Sequence, residues 1–125
     1  LGLLMETAPP RGGEALTVYA RQGAAFLQQN YSRSIGVEEA ARQAGVSRSC
    51  LYRAFQAEFS CSPSAYLIRY RIQRAAQLLR HSTLPISAVA ASVGFEDPLY
   101  FSRAFRRAAG QSPTEYRQQN GPRNG

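Results

Sequence analysis

Ser49, Tyr52, Arg53 and Gln56 stand at i, i+3, i+4 and i+7, and Leu99, Ser102, Arg103 and Arg106 repeat that spacing fifty residues later. On a helix each set shares one face. Leu51, Phe55 and Phe59 fall four apart on the other side of the first helix, so its polar set points away from the core. An arginine held out in this way can fork onto O6 and N7 of guanine in a major groove, or grip a phosphate. Solvating a helix face is the plainer use of one exposed arginine. Arg53 and Arg103 are equivalent in two copies, however, and a structural hairpin has no reason to repeat its outward chemistry.

The residues that must position these sets repeat as well. Val37, Ala41 and Gly45 match Ile86, Ala90 and Gly94 at an offset of 49. Leu51, Arg53, Ala54, Phe55, Ser62, Pro63 and Tyr66 match Phe101, Arg103, Ala104, Phe105, Ser112, Pro113 and Tyr116 at an offset of 50. Each copy reads as a short helix, a tight turn and a longer helix, the plan of a helix-turn-helix. Ala41 and Ala90 are small where two helices approach, and Gly45 and Gly94 stand where the turn calls for a left-handed backbone. Ser47, Ser62 before Pro63 and Asp97 before Pro98 are N-caps, and Ser112 with Glu115 has capping-box spacing. Leu16, Tyr19, Ala20, Gly23, Phe26 and Leu27 mark a further amphipathic helix from about 15 to 30. No strand-like alternation occurs, so the expected class is all-α, with about seven helices and a long connecting helix between the two copies.

Composition narrows the partners. The 125 residues carry a formal charge of +7, and all fifteen basic residues are arginine, which points to a polyanion. Codon usage in a GC-rich genome accounts for the missing lysine but not for the excess of positive charge. Hydrophobic content of 44% supports a core, though two subdomains of this size would each be marginal alone. No apolar run approaches the roughly 18 to 20 residues of a membrane span, so no membrane partner is expected. "LGLLMET" lacks a charged n-region and a following apolar core, so no signal peptide is expected, and the expected location is the cytoplasm, at the nucleoid. Two cysteines, Cys50 and Cys61, and one histidine, His81, cannot supply three or four N/S metal ligands. The cysteines read as packing residues, with a redox pair as the alternative. No catalytic constellation and no cofactor motif is visible, so an enzyme is not expected.

"GFEDPLYFSRAFRRAAGQSPTEYR", residues 94–117, closely resembles the C-terminal signature of the AraC/XylS transcription regulators. The resemblance rests on a glycine-phenylalanine turn, Tyr100-Phe101, Phe105, Gly110, Ser112-Pro113 and Tyr116-Arg117. "AARQAGVSRSCLYRAFQAEFSCSPSAYLIRYRIQRAAQLL" resembles the family's first helix-turn-helix and linker helix, and the likeness covers about residues 15 to 118. It implies seven helices, with two helix-turn-helix subdomains whose recognition helices enter successive major grooves of double-stranded promoter DNA. It also implies transcriptional activation, with RNA polymerase as partner and often an N-terminal ligand-sensing or dimerisation domain. A linker helix of about 18 residues spans roughly 27 Å, close to the about 34 Å of one turn of DNA.

Carried over position by position, the resemblance places base reading on Ser49, Tyr52 and Arg53 and on Leu99, Tyr100, Ser102 and Arg103. Leu99 and Tyr100 have little hydrogen-bonding capacity, so readout there is either apolar, through thymine methyls, or absent. Ser47, Arg48, Gln56 and Arg106 are the phosphate candidates. One departure stands out: Ser60 occupies the place where the family, and Gly110 in the second copy, have glycine, which implies a strained or different helix end. Glu96 and Asp97 would repel phosphate unless occupied as caps. The organisation expected is a linker from an absent N-terminal domain over 1–14, a first helix-turn-helix subdomain over 15–62, a linker helix over 63–80, a second subdomain over 81–118 and a disordered tail over 119–125. A basic protein-interaction module and a nonspecific nucleic-acid binder are the alternative functions.

Overall fold

The computed structural model describes residues 12–123, and among them the regular structure is entirely helical. Seven α-helices follow one another: α1 Gly12–Asn30, α2 Val37–Ala44, α3 Arg48–Phe59, α4 Pro63–His81, α5 Ile86–Ser92, α6 Pro98–Ala109 and α7 Pro113–Asn120. They form two compact units. The first holds residues 12–29 and 36–66, and the second holds residues 30–35 and 67–123. The first turn of α4 thus belongs to one unit and the rest to the other. Residues 1–11 of the expected linker and 124–125 of the expected tail lie outside the described residues. Residues 12–14 are the start of α1, and α7 runs two residues past 118.

In the first unit, Ala20, Ala24 and Leu27 of α1, Ala40, Ala41 and Ala44 of α2, and Leu51, Ala54 and Phe55 of α3 are buried. Gly23 of α1 faces α3 closely. A Cβ there would lie 2.9 Å from Leu51 Cδ1 and 3.0 Å from Phe55 Cε1. Phe55 is also edge-on to Phe59 and Tyr66, at centroid distances of 5.1 and 5.3 Å. Gly45 makes the turn at φ +74°. Its N–H donates to the Arg42 carbonyl at 3.1 Å, and Val46 N–H donates to the Ala41 carbonyl at 3.0 Å, so two of the last four carbonyls of α2 are satisfied by the turn. Cys61 is buried and Cys50 half-buried, both as free thiols.

The second unit packs Ile72, Ala75 and Leu79 of α4 against Val89, Ala90 and Val93 and against Phe95, Phe101, Ala104 and Phe105, with Tyr31 and Tyr116 at the margin. Residues 30–35 join it through Arg71. Arg71 Nε donates to the Tyr31 carbonyl at 2.9 Å and Nη2 to the Arg33 carbonyl at 3.0 Å, while the guanidinium lies 5.8 Å from the Phe95 ring centre. Burial lowers the Arg71 pKa, against an opposing pull from Glu96 and Tyr100. At Gly94, φ is +96°, and an added Cβ would stand 2.4 Å from the Tyr31 carbonyl oxygen and 2.9 Å from Arg71 Nε. This turn therefore needs glycine both for conformation and for space. Arg117 donates to the Leu79 and Leu84 carbonyls, and Arg80 to the Tyr116 hydroxyl.

Candidate nucleic-acid interface

Each of the two longer helices of the repeat, α3 and α6, starts at a side-chain cap that fixes where its first turn points. Ser47 Oγ accepts from Cys50 N–H at 3.1 Å at the head of α3. Asp97 Oδ1 accepts from Leu99 N–H at 2.9 Å at the head of α6, with Pro98 in the first turn. The caps satisfy amide donors that would otherwise face water. Burial of Leu51, Ala54 and Phe55 on α3, and of Phe101, Ala104 and Phe105 on α6, then rotates the remaining residues outward.

On α3 the structure brings Ser49, Tyr52, Arg53 and Gln56 to one exposed face, with Tyr52 51% exposed. Leu99, Tyr100, Arg103 and Arg106 are exposed on α6, while Ser102 is half-buried. Tyr100 is the most constrained of them, because its ring leans on Phe95 at a centroid distance of 5.9 Å. Arg53 and Arg103 have no carboxylate partner among the described residues, so both guanidinium forks are open to a ligand.

The phosphate candidates are less free. Ser47 already accepts at the cap, though its first-turn amides remain at the head of α3. Arg48 pairs with Glu38 at 3.3 Å, with both side chains 66% exposed, and Arg106 pairs with Glu115 at 3.3 Å. Exposed pairs of this kind contribute only about 0.2 to 1 kcal/mol, so a phosphate can replace either carboxylate at small cost. Gln56 is exposed. The two carboxylates beside α6 are both engaged, Asp97 as the cap and Glu96 by the Ser34 hydroxyl at 3.1 Å.

Two residues near these faces escaped the sequence reading. Arg107 is exposed on α6 at i+4 from Arg103, a spacing that was there to be counted. Ser64 lines an open concavity of about 730 Å³ together with Arg48, Ser49, Tyr52, Arg53 and the Ser62-Pro63 start of α4. No local pattern ties Ser64 to Arg53, because only the packing of α4 beside α3 brings them together.

Ser60 closes α3 at φ +57°, its N–H donating to the Gln56 carbonyl at 3.1 Å. Gly110 closes α6 at φ +78°, its N–H donating to the Arg106 carbonyl at 2.8 Å. The serine thus adopts the same left-handed ending as the glycine, at the strain a side chain brings there.

No described helix is long and apolar enough to cross a membrane. Among known proteins, the helix-turn-helix domain family model matches residues 40–119. The chain is 40% identical over 92 residues to the lactose operon transcription activator of Staphylococcus xylosus, covering 74% of this chain and 33% of that protein. It is 38% identical over 116 residues to a putative AraC-like transcription regulator of Streptomyces antibioticus, covering 93% of this chain and 36% of that one. The chain thus spans about a third of the length of these curated relatives. The solved C-terminal domain of AraT, a response regulator of Geobacillus stearothermophilus, superposes with a TM-score of 0.81 at 33% identity, covering 87% of this chain and 91% of that one. With two helix-turn-helix copies in an all-α frame and regulators of this type on every side, the chain belongs to the AraC-type helix-turn-helix DNA-binding domains of transcription regulators, a family of DNA binders and not of enzymes.

Proposed function

We propose that the domain is sequence-specific for double-stranded promoter DNA and reads it with α3 and α6 in successive major grooves. The observation that carries this reading is the pair of equivalent arginines, Arg53 and Arg103, each exposed on the face opposite its helix's buried residues and each without a carboxylate partner among the described residues. In the first reader Arg53 is flanked by Ser49 and Tyr52, and in the second Arg103 is flanked by Leu99, Tyr100 and Ser102. Ser47, Arg48, Gln56 and Arg106 take phosphates and set the register, with Arg107 and Ser64 added to that group. The full-length protein acts in the bacterial cytoplasm, at the nucleoid, as an activator that engages RNA polymerase. Its sensing or dimerisation belongs to a further domain, N-terminal to this one. Similarity to an operon activator supports the activating role.

The test is selection of bound duplexes from a random pool at about 150 mM salt, where nonspecific phosphate binding is already weakened. Two information-rich blocks about one helical turn apart are expected. Binding at low salt without enrichment of any sequence would leave a charge-only binder or a protein-docking module and overturn the proposal.

A further inference from the structure

We propose that Leu99 is a specificity residue for thymine, reading the C5-methyl group of a thymine near the guanine engaged by Arg103. The inference rests on the groove-reading role of α6 and adds the base class that one position selects. Among the described residues five large hydrophobic side chains are exposed: Val18, Tyr52, Leu84, Leu99 and Tyr100. Three of these sit on the two reading faces, and Leu99 is the most exposed of all at 58%. Leu99 takes no part in the second unit's core, which is built from its neighbours Phe95, Phe101 and Phe105. Tyr100 leans on Phe95, whereas the Leu99 side chain stands free at the tip of the helix.

Its position gives that side chain a use. The N-terminal residues of a recognition helix are those that reach base edges, and Leu99 lies in the first turn with its own N–H held by Asp97. A leucine side chain can neither accept nor donate a hydrogen bond, so it contributes nothing to a phosphate or to a base heteroatom. The major groove edge of a base pair offers one apolar group, the thymine methyl. The equivalent residue of α3 is Ser49, exposed and able to hydrogen-bond. The same place in the two helices thus carries opposite chemistry, a hydroxyl in one and an apolar side chain in the other.

The test uses the duplex recovered by selection, with each thymine in the α6 block replaced singly by deoxyuridine, which removes the methyl and nothing else. Burying one methyl corresponds to about a fourfold change in affinity. The expected result is one position where deoxyuridine weakens the wild-type domain about fourfold and leaves Leu99→Ala unchanged. Equal losses in wild type and Leu99→Ala, or no loss at any thymine, with Arg103→Ala still relaxing the choice of guanine, would overturn the methyl inference and leave groove reading intact. If Arg103→Ala instead weakens all sequences alike, the groove-reading role of α6 fails, and the thymine inference fails with it.

Discussion

The first unit and the second repeat the same short helix, left-handed turn and longer helix, but their charges differ. Four arginines meet four glutamates among the described residues of the first, while the second has ten arginines against three carboxylate residues. The whole formal charge of +7 therefore resides in the second unit. Its arginines keep that charge because several bind neutral acceptors: Arg71 and Arg117 hold backbone carbonyls, and Arg74 and Arg80 hold tyrosine hydroxyls. The first unit cancels part of its charge in the Arg21–Glu58 and Arg48–Glu38 pairs. If both helices read DNA as proposed, long-range attraction to phosphate is concentrated in the second unit, while each unit carries its own exposed arginine for local recognition.

The largest difference between the copies should appear at their turn glycines. Gly94→Ala forces a Cβ against the Tyr31 carbonyl and Arg71 at positive φ, whereas Gly45→Ala meets nothing within 4 Å. We expect about 3 to 5 kcal/mol lost for the first, from strain and overpacking together, and about 1 to 2 kcal/mol for the second, from strain alone. Urea unfolding of both variants measures this, and equal losses would remove the asymmetry. Next come the reading arginines: Arg53→Ala and Arg103→Ala should each cost about 1 to 3 kcal/mol and relax preference in one block only. Titration against duplexes altered in either block decides it, and uniform losses would assign the side chains to phosphate.

Exchanging the helix ends probes a smaller gap. Ser60→Gly relieves a left-handed serine and should stabilise by about 0.5 to 1 kcal/mol, and Gly110→Ser should destabilise by about the same, again read by urea midpoint. The charge division can be tested at Arg107, whose counterpart on α3 is Ala57. Arg107→Ala should flatten the slope of log affinity against log salt by up to about 0.9, and Ala57→Arg should steepen it by a like amount. No change in either slope would place both positions off the phosphate path. The least effect concerns acid. The Ser112 backbone N–H, and then its hydroxyl, hold the Glu115 pKa below the ordinary carboxylate value. A depressed folded pKa means the Glu115 carboxylate's half of the capping box contributes fully above the ordinary value and is lost as pH falls through the lowered one, while the Ser112 hydroxyl's half does not titrate. Protection factors along α7, taken relative to the intrinsic exchange rate at each pH, should therefore fall in acid, while those at the start of α4, where Ala65 replaces the glutamate, should not respond.

Much of this was legible in the sequence because it is local chemistry. Caps at Ser47, Ser62, Asp97 and Ser112 and left-handed glycines at Gly45 and Gly94 each follow from a few adjacent residues, and the exposed faces follow from helical spacing. Gly12 and Gly13 resembled a linker, yet the helix includes them, with the Thr17 hydroxyl donating back to the Gly13 carbonyl at 3.0 Å. Weak propensity yielded there to a helix already anchored by Ala20, Ala24 and Leu27. The grip of Arg71 on carbonyls some forty positions earlier was invisible in the sequence because no pattern encodes a loop's return. The pairing of Arg48 with Glu38 and of Arg106 with Glu115 escaped for a related reason: each joins two elements across a turn.

The capture of residues 30–35 by Arg71 bears on how such genes can recombine. A crossover at the start of α4 looks like a clean seam between two repeats, but the second repeat borrows a strip of chain encoded between α1 and α2. A hybrid joined there would inherit Arg71 and Gly94 from one parent and the carbonyls they fit from another. Exchanging one half of the domain without residues 30–35 would part Arg71 from the carbonyls it holds.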